Sequence, residues 1–299
     1  MSSLEKVRIS SGSSVPASQY LPAHGPRQSR IAEIMKPTLG PQNWRDNVVD
    51  SWRNVFTTLR VPMDGVVIEV APGEGTNVPM ALASMGFKGT LFVIDPAEDV
   101  MYATTEPAYK KLLPEARIIS VCQSLEDART RSELIQHYAK KGLVDCLVAN
   151  HVLDDMLIGQ HLSRTMTPSQ ASLFFSNHYE NNLQTAAKTS LAWQGLLGRQ
   201  DGTTPEGVRS SIASEWVHFA CDVGPRTVAL ADYPSAYFLM YGDALPALKH
   251  AEIQAQLAQK QITKSLTQSG IFSTTEVPTD LALHGGTGCW LLAERKITK

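Results

Sequence analysis

The sequence has few cysteines, and none of them forms a recognisable metal-binding pattern. Cys122, Cys146, Cys221 and Cys289 include no Cys-x-x-Cys pair and no cluster with histidine, so we expect no metal site. All but Cys221 lie within apolar runs, which indicates small buried thiols. Such thiols are typical of a protein kept in a reducing compartment, and we expect a cytoplasmic location.

The sequence also lacks a strong charge of either sign and has no long apolar segment. Its 27 basic and 29 acidic residues are scattered along 299 positions and give a formal net charge of −2. This balance provides no electrostatic reason to expect nucleic acid or an anionic membrane as a partner. No segment approaches the roughly 18–20 apolar residues of a membrane helix, and the first residues contain no apolar core of a signal peptide. We therefore expect a soluble globular protein.

The N-terminal part of the chain differs in character from the rest. Residues 1–25 are rich in Ser, Pro and Gly, which predicts an extended arm. A helical pattern follows up to about residue 59, and its apolar positions share one face: Trp44, Val48, Trp52, Val55 and Phe56. We predict an arm and helical cap over residues 1–60. If the tryptophans of this cap are exposed, they favour a homodimer.

Short apolar runs alternate with helical segments from Gly65 onwards. Strands are predicted at 66–70, 91–94, 116–121, 144–149, 227–231, 272–277 and 288–295, and helices at 77–86, 99–112, 132–141 and 236–268. This alternation predicts right-handed βαβ units, and therefore an α/β fold in which helices flank a parallel sheet. A long, mainly helical stretch at about 156–222 interrupts the pattern. We interpret it as an insertion in one domain over 61–299.

A glycine-containing turn, Glu69-Val70-Ala71-Pro72-Gly73-Glu74-Gly75, ends the first predicted strand of this domain. Gly73 and Gly75 have no Cβ, so the chain can turn tightly there and a ligand can approach its backbone. The amides of the next helix point into the same region. We call residues 69–75 the glycine turn. A nucleotide-type site and an ordinary tight turn both fit its glycines, so the companion residues decide between them.

Polar residues follow the next three predicted strands. Asp95 ends the second strand 26 residues after Glu69, where a carboxylate can accept both ribose hydroxyls. The alternative is an aspartate that caps the turn before Pro96. The run from Gln123 to Asp127 follows the third strand, and Asn150-His151 follows the fourth. In a parallel sheet these positions lie at one edge, which favours a nucleotide-type site.

At these residues the chain resembles the class I methyltransferases that use S-adenosylmethionine (SAM). The acid, small apolar residue and glycines of the glycine turn resemble the family's first motif, and Asp95 its second. The fourth motif is matched by Asp145-Cys146-Leu147-Val148-Ala149-Asn150. The C-terminal run from Gly288 to Lys296 resembles the family's last, antiparallel strand. The resemblance covers 65–155 and 224–299, and it departs from the family at Ala71, where a glycine is usual.

A dinucleotide-binding domain is the nearest alternative. The run Gly73-Glu74-Gly75-Thr76-Asn77-Val78 lacks the third glycine that such a domain requires. Glu69 would also lie close to an anionic pyrophosphate, whereas the ammonium and sulfonium groups of SAM would attract it. The sequence therefore favours SAM over NAD.

The resemblance implies a SAM site whose residues come from four strand ends. Its members are Glu69, Ala71, Gly73, Gly75, Asp95, Pro96, Met101, Gln123, Ser124, Leu125 and Asn150. The glycine turn would hold the methionine part and Asp95 the ribose. Met101 and the three residues from Gln123 would contact the adenine. A methionine beside a strand is also typical of a hydrophobic core.

Candidates for catalysis and for substrate binding come after the fourth strand. Some oxygen and nitrogen acceptors need a base, and Asn150, His151, Asp154 and Asp155 lie where it would act. The alternative role of the acids is to cap a helix. Aromatic and amide residues of the insertion and the cap suggest a lid over a small-molecule substrate. We select Trp44, Asn177, His178, Tyr179 and Trp216, for which packing is the alternative role.

Three outcomes for the SAM remain open. The first, which the family favours, is methyl transfer to a small-molecule acceptor, as in cytoplasmic biosynthesis. The second is a reaction that releases methylthioadenosine, either cyclisation of SAM to azetidine-2-carboxylate or aminocarboxypropyl transfer. The third is a SAM-binding protein without catalytic activity.

Overall fold

The structure is a computed structural model that describes most of the α/β domain. It describes residues 9–10, 41–73, 75–129, 144–153, 156–157, 205–232, 246–275 and 289–296. Within these ranges, every helix is too short or too polar to cross a membrane. Several predictions lie outside the described residues, namely those for Asp154, Asp155, Asn177, His178 and Tyr179, for the side chain of Trp44 and for a helix at 132–141.

The described strands form one eight-stranded sheet. Their bounds are β1 Ile9–Ser10, β2 Val66–Val70, β3 Thr90–Ile94, β4 Arg117–Cys122, β5 Cys146–Asn150, β6 Thr227–Asp232, β7 Phe272–Thr274 and β8 Cys289–Arg295. Strands β2 and β3 are buried at every position. Strands buried on both faces are continuous apolar runs, which is why the sequence predicted most strands to within one or two residues.

The described helices connect these strands as α/β units require. They are α1 Pro41–Thr58, α2 Asn77–Ser84, α3 Glu98–Val100, α4 Glu106–Leu112, α5 Leu125–Arg129, α6 Pro205–Val223 and α7 Pro246–Gln268. A π-helical turn, Met101–Thr105, joins α3 to α4. The helix predicted at 99–112 is therefore present, but the periodicity of the sequence did not predict its π-helical turn.

The order of strands in the sheet is β1-β4-β3-β2-β5-β6-β8-β7. The pairs within β1 to β6 are parallel, and β8 runs antiparallel to both β6 and β7. After β2, the chain builds outward through β3 and β4, and it then returns to add β5 on the other side of β2. The carboxyl ends of β2 and β5 thus form a topological switch point, where open α/β sheets bind ligands. The expected Rossmann-like sheet with an antiparallel C-terminal strand is confirmed.

Helices cover both faces of the sheet, because successive residues of a strand point to opposite sides. Ile68 belongs to a buried cluster that includes residues of α5, α6 and α7. The adjacent Val67 belongs to a second cluster with residues of α1 and α2. Each face therefore has its own hydrophobic core, as an interior parallel sheet requires.

Helix α1 packs into the second core and does not stand apart as an exposed cap. Val48, Trp52, Val55 and Phe56 lie on one helical face, and none of them is exposed. The rings of Trp52 and Phe56 are 5.5 Å apart between centroids. The expectation of exposed tryptophans is wrong for Trp52, since the apolar face of α1 packs against the sheet. Trp52 therefore provides no argument for a homodimer.

Helix α6 corrects the predicted extent of the insertion. Residues 205–223 pack against α7 and α5, and Trp216 is 1% exposed within the first core. Its indole Nε1 lies 3.3 Å from the Met156 sulfur. Trp216 is thus a core residue, which favours its packing role over the predicted substrate contact. A lid over 156–222 cannot include this helix, because its apolar face already covers the sheet.

Candidate functional site

The glycine turn leaves the carboxyl end of β2 through two residues with left-handed backbone. Ala71 has a φ of +48° and Gly73 a φ of +53°. The amide of Ala71 donates to the Ile94 carbonyl at 2.6 Å, and the Gly75 amide donates to the Pro72 carbonyl at 2.7 Å. A Cβ on Gly75 would lie 2.8 Å from that Pro72 oxygen, so this position requires glycine. Ala71 is strained in a conformation that favours glycine, which fits its place where the family motif has one.

Asp95 ties the glycine turn to the end of the neighbouring strand. Its Oδ2 accepts a hydrogen bond from the Gly73 amide at 3.0 Å, and its Oδ1 accepts one from the Ala97 amide at 2.9 Å. The carboxylate is 5% exposed. The second contact is the turn cap that the sequence offered as an alternative to ribose binding. Each carboxylate oxygen has a further lone pair, so the cap and a ligand contact are compatible.

The helical segment after β3 makes hydrogen bonds to the glycine turn. The Thr105 hydroxyl donates to the Gly73 carbonyl at 2.6 Å. The Tyr109 hydroxyl lies 2.9 Å from both the Gly75 carbonyl oxygen and Oε2 of Glu69. Thr105 and Tyr109 are four residues apart and therefore share a helical face. Together they hold the backbone of both glycines and the carboxyl group at the head of the turn.

Glu69 is buried beneath the turn, with 2% of its surface exposed. Burial raises its pKa to about 8; the hydrogen bond from Tyr109 lowers the pKa and the nearby Asp95 raises it. Burial, followed by the charge of Glu69, also raises the pKa of Tyr109 well above its usual value. Near neutral pH the protonated form of Glu69 dominates, because its ionised form would be buried close to a second carboxylate.

The three residues predicted near the adenine have different surroundings. Gln123 is 5% exposed, and its Oε1 has no hydrogen-bond partner within the described part of the chain. The Ser124 hydroxyl caps α5, since it accepts from the Asp127 amide at 3.1 Å and lies 2.9 Å from the Asp127 carboxylate. Leu125 is buried in the first core. Gln123 is therefore the member of this group with an acceptor left for a ligand.

Met101 lies in the hydrophobic core and not over an open ligand site. Its side chain has no exposed surface and belongs to the cluster that contains Trp52 and Tyr109. The structure thus favours the packing role over the predicted contact with adenine. Pro96, by contrast, is partly exposed beside Asp95, where a ligand at the strand ends would lie.

Asn150 and His151 lie next to β2 at the end of β5. The indole Nε1 of Trp52 donates to Oδ1 of Asn150 at 2.7 Å, and Trp290 packs edge-on against Trp52 with centroids 4.9 Å apart. Nδ1 of His151 lies 3.5 Å from Oδ1 of Asp232, the last residue of β6. The structure therefore brings these two predicted residues to the edge that carries the glycine turn and Asp95.

Three residues that contact this site were not predicted from the sequence: Thr105, Tyr109 and Asp232. A signal for each was present. Thr105 and Tyr109 follow Met101 at intervals of four in the predicted helix, so they lie on its buried face. Asp232 directly follows the predicted strand 227–231, as Asp95 follows its own strand.

The cysteines and the acidic residues show no metal-binding arrangement in the part of the chain that the structure describes. No group of three or more His, Cys, Asp or Glu side chains is placed to hold an ion there. Cys122 and Cys146 are buried free thiols, and burial raises the pKa of both, to about 11 and about 12 respectively. These two thiols are therefore buried core residues, as expected.

No family model and no curated protein matches this chain. Among solved structures, it is similar to the magnesium protoporphyrin IX methyltransferase ChlM from Synechocystis PCC 6803 with bound S-adenosylhomocysteine (TM-score 0.43, 13% identity, 91% of this chain and 94% of that chain covered). It is also similar to the methyltransferase domain of a bacterial Hen1 (0.40, 13%, 83% and 100%). A third similar structure is the plantazolicin methyltransferase BpumL (0.41, 8%, 94% and 96%).

These TM-scores are below 0.5, so the strand order and not the matches establishes the architecture. The parallel strands β2 to β6, the switch point between β2 and β5 and the antiparallel β8 are all present. Helices cover both faces of the sheet. The chain therefore has a Rossmann-like α/β fold with an antiparallel C-terminal strand.

Proposed function

We propose that this protein binds SAM at the carboxyl ends of β2 to β5 and uses it as a group donor. The observation that carries the proposal is the hydrogen bond from the Gly73 amide to Asp95. It holds the carboxylate at the end of β3 against the glycine turn, which leaves β2 at the topological switch point. A carboxylate placed there can accept the two ribose hydroxyls of a nucleoside.

The two flanking strand ends suit the remaining parts of SAM. Oε1 of Gln123, at the end of β4, supplies an acceptor for the exocyclic amine of adenine. On the other side of Asp95, the buried Glu69 suits the cationic methionine part. A cation next to Glu69 favours its ionised form, so binding of SAM is expected to release a proton from Glu69. A dinucleotide would bring a pyrophosphate towards the same group, which is unfavourable.

Methyl transfer to a small-molecule acceptor is the reaction that we propose first. Attack on the sulfonium methyl group is an in-line displacement, so alignment of the acceptor provides much of the catalysis. His151 is the proposed base for an acceptor that must lose a proton, and its side chain is 20% exposed. A small acceptor, a cytoplasmic location and a homodimer remain predictions from the sequence.

Glu69 supports a second candidate, the cyclisation of SAM. In that reaction the amine of SAM attacks its own Cγ, the bond from Cγ to sulfur breaks, and methylthioadenosine leaves. The amine must first lose a proton, and Glu69 can accept it once the cationic part of SAM has favoured the ionised carboxylate. Aminocarboxypropyl transfer breaks the same bond with an external amine as the nucleophile.

One set of incubations distinguishes these reactions. The purified chain is supplied with SAM alone, or with SAM and a small-molecule extract, and the products are identified by mass spectrometry. S-adenosylhomocysteine that forms only with extract supports methyl transfer. Methylthioadenosine with a cyclic C4 amino acid from SAM alone establishes the cyclase instead. The absence of heat on calorimetric titration with SAM would overturn the proposal as a whole.

A further inference from the structure

Asp232 has an unusual position for a carboxylate. It ends β6 with no exposed surface. Within the described part of the chain, neither of its carboxylate oxygens accepts a hydrogen bond. A buried polar group in this condition destabilises the folded protein. A leucine or valine would complete the strand at no such cost, so the carboxylate calls for an explanation other than folding.

The imidazole of His151 lies close to this carboxylate. The His151 amide donates to the Ala231 carbonyl at 2.8 Å, which fixes its backbone against the residue before Asp232. His151 also has a φ of +55°. Few non-glycine residues adopt this left-handed conformation, although histidine does so more often than most, and residues held in it are concentrated at functional sites. The bend turns the chain at the end of β5 and places Nδ1 3.5 Å from Oδ1 of Asp232.

The two nitrogens of His151 are in different environments. Nδ1 is buried on the side of Asp232, whereas 20% of the side chain is exposed. Solvent or a ligand therefore reaches the ring through its other atoms. A shift of roughly 0.5 Å would bring Nδ1 and Oδ1 to the usual hydrogen-bond distance. Such contacts are often long without a ligand and shorten when it binds.

A carboxylate next to Nδ1 determines which nitrogen carries the proton of the neutral ring. Because a carboxylate only accepts hydrogen bonds, it favours the tautomer with the proton on Nδ1. Nε2 is then left with its lone pair and can accept a proton from a reacting group. The carboxylate also stabilises the imidazolium that forms when Nε2 takes up that proton. The same division of roles between an aspartate and a histidine operates in hydrolytic triads.

We propose that Asp232 is a positioning residue that holds His151 in the Nδ1–H tautomer, so that Nε2 serves as the proton acceptor of the site. The role as proton acceptor rests on the proposed function, because it requires an acceptor substrate or an amine that loses a proton. The tautomer itself does not depend on SAM and can be measured without it.

The test uses the full chain labelled with 15N in its histidines. Long-range 1H–15N correlation spectra show which ring nitrogen carries the proton, and Gln in place of His151 identifies its signals among those of the eight histidines. We expect the Nδ1–H tautomer in the unmodified chain. In Asp232→Asn and Asp232→Ala, the ratio of Nδ1–H to Nε2–H should fall about tenfold, because the ring loses the neighbouring carboxylate that favours a proton on Nδ1. Asp50→Asn, on the exposed face of α1, is the control and should leave the ratio unchanged.

Thermal unfolding separates positioning from a structural role. Asp232→Asn removes a buried charge that has no hydrogen bond, so its unfolding temperature should equal or exceed that of the unmodified chain. The initial rate of SAM consumption should nevertheless fall about 10- to 100-fold, with the dissociation constant for SAM within twofold. Asp232→Glu keeps the carboxylate and should restore part of the rate.

The possible failures are distinguishable. An Nε2–H tautomer in the unmodified chain would overturn the inference, whether or not SAM binds. Unchanged tautomer ratios in both Asp232 variants would do the same. An Nδ1–H tautomer that depends on Asp232, in a chain that neither binds nor consumes SAM, would support the positioning of His151 and would refute the proposed function.

Discussion

The indole of Trp52 donates a 2.7 Å hydrogen bond to the side-chain oxygen of Asn150, which lies 98 residues further along the chain. Trp52 lies on α1, and Asn150 is the last residue of β5 at the topological switch point. The bond fixes the Asn150 amide next to the predicted SAM site. It also makes α1 part of the structure that supports this site, although the helix was predicted as a separate cap.

Trp52→Phe should therefore affect both stability and ligand binding. Phenylalanine keeps most of the buried ring but leaves the Asn150 oxygen without its donor. We expect the free energy of unfolding to fall by about 1–2 kcal/mol, measured by urea denaturation, and the affinity for SAM to weaken. Trp216→Phe is the matched control, because among the described residues the Trp216 indole nitrogen contacts the Met156 sulfur in the core. Equal SAM affinities in the unmodified chain and in Trp52→Phe would show that α1 does not support the site.

Asp95→Asn should weaken the binding of SAM by about 1–3 kcal/mol, the range for charge-assisted hydrogen bonds. An asparagine can accept only one of the two amide bonds that Asp95 accepts, since its NH2 group would face the other donor. Calorimetric titration with SAM measures this loss. Faster hydrogen exchange at the Gly73 amide would show that the glycine turn has been released.

Asp145→Asn provides the control for this variant. Oδ2 of Asp145 accepts from the Val66 amide at 2.9 Å, so it makes the same kind of contact at the opposite end of β2. We expect this variant to lose stability without any loss of SAM affinity. If both variants weaken SAM binding equally, the effect reflects the sheet as a whole, and the ribose role of Asp95 is wrong.

Glu69 should make stability depend on pH. Its pKa is about 8 in the folded protein against an ordinary value of 4.5. The folded state thus binds its proton more tightly, so the stability from this group is fully present below about pH 4.5 and is lost as pH rises towards 8. Glu69→Gln stays neutral at every pH. The free energy of unfolding of the unmodified chain should fall relative to this variant across that window, by a few kcal/mol.

Denaturant unfolding at a series of pH values from 4 to 9 measures this difference, and comparison with Glu69→Gln cancels the contributions of other titrating groups. Above about pH 8 the difference should become constant. If the free energy of unfolding varies with pH in the same way in both proteins, Glu69 has an ordinary pKa and its burial does not destabilise the ionised form.

The sequence predicted the strands and the strand-end residues well because both depend on local patterns. Val66–Val70 is a buried apolar run, and Asp95, Asn150 and His151 directly follow such runs. Pairings between distant segments were not predictable in the same way. The periodicity around Trp216 indicates an apolar face, but it does not tell whether that face covers the sheet or a substrate. The pairing of His151 with Asp232 required the order of strands, which places β6 beside β5.

Tyr109→Phe should shift the pH dependence that Glu69 causes. The hydrogen bond from Tyr109 lowers the pKa of Glu69, so its removal should raise that pKa above about 8. The loss of stability with rising pH should then extend to higher pH, in the same denaturant series. The Gly75 carbonyl also loses its contact with the hydroxyl, which should loosen the glycine turn and weaken SAM binding. Tyr102→Phe, on the π-helical turn, is the control and should change neither property. If stability depends on pH in the same way in Tyr109→Phe and in the unmodified chain, the Tyr109 hydroxyl does not lower the pKa of Glu69.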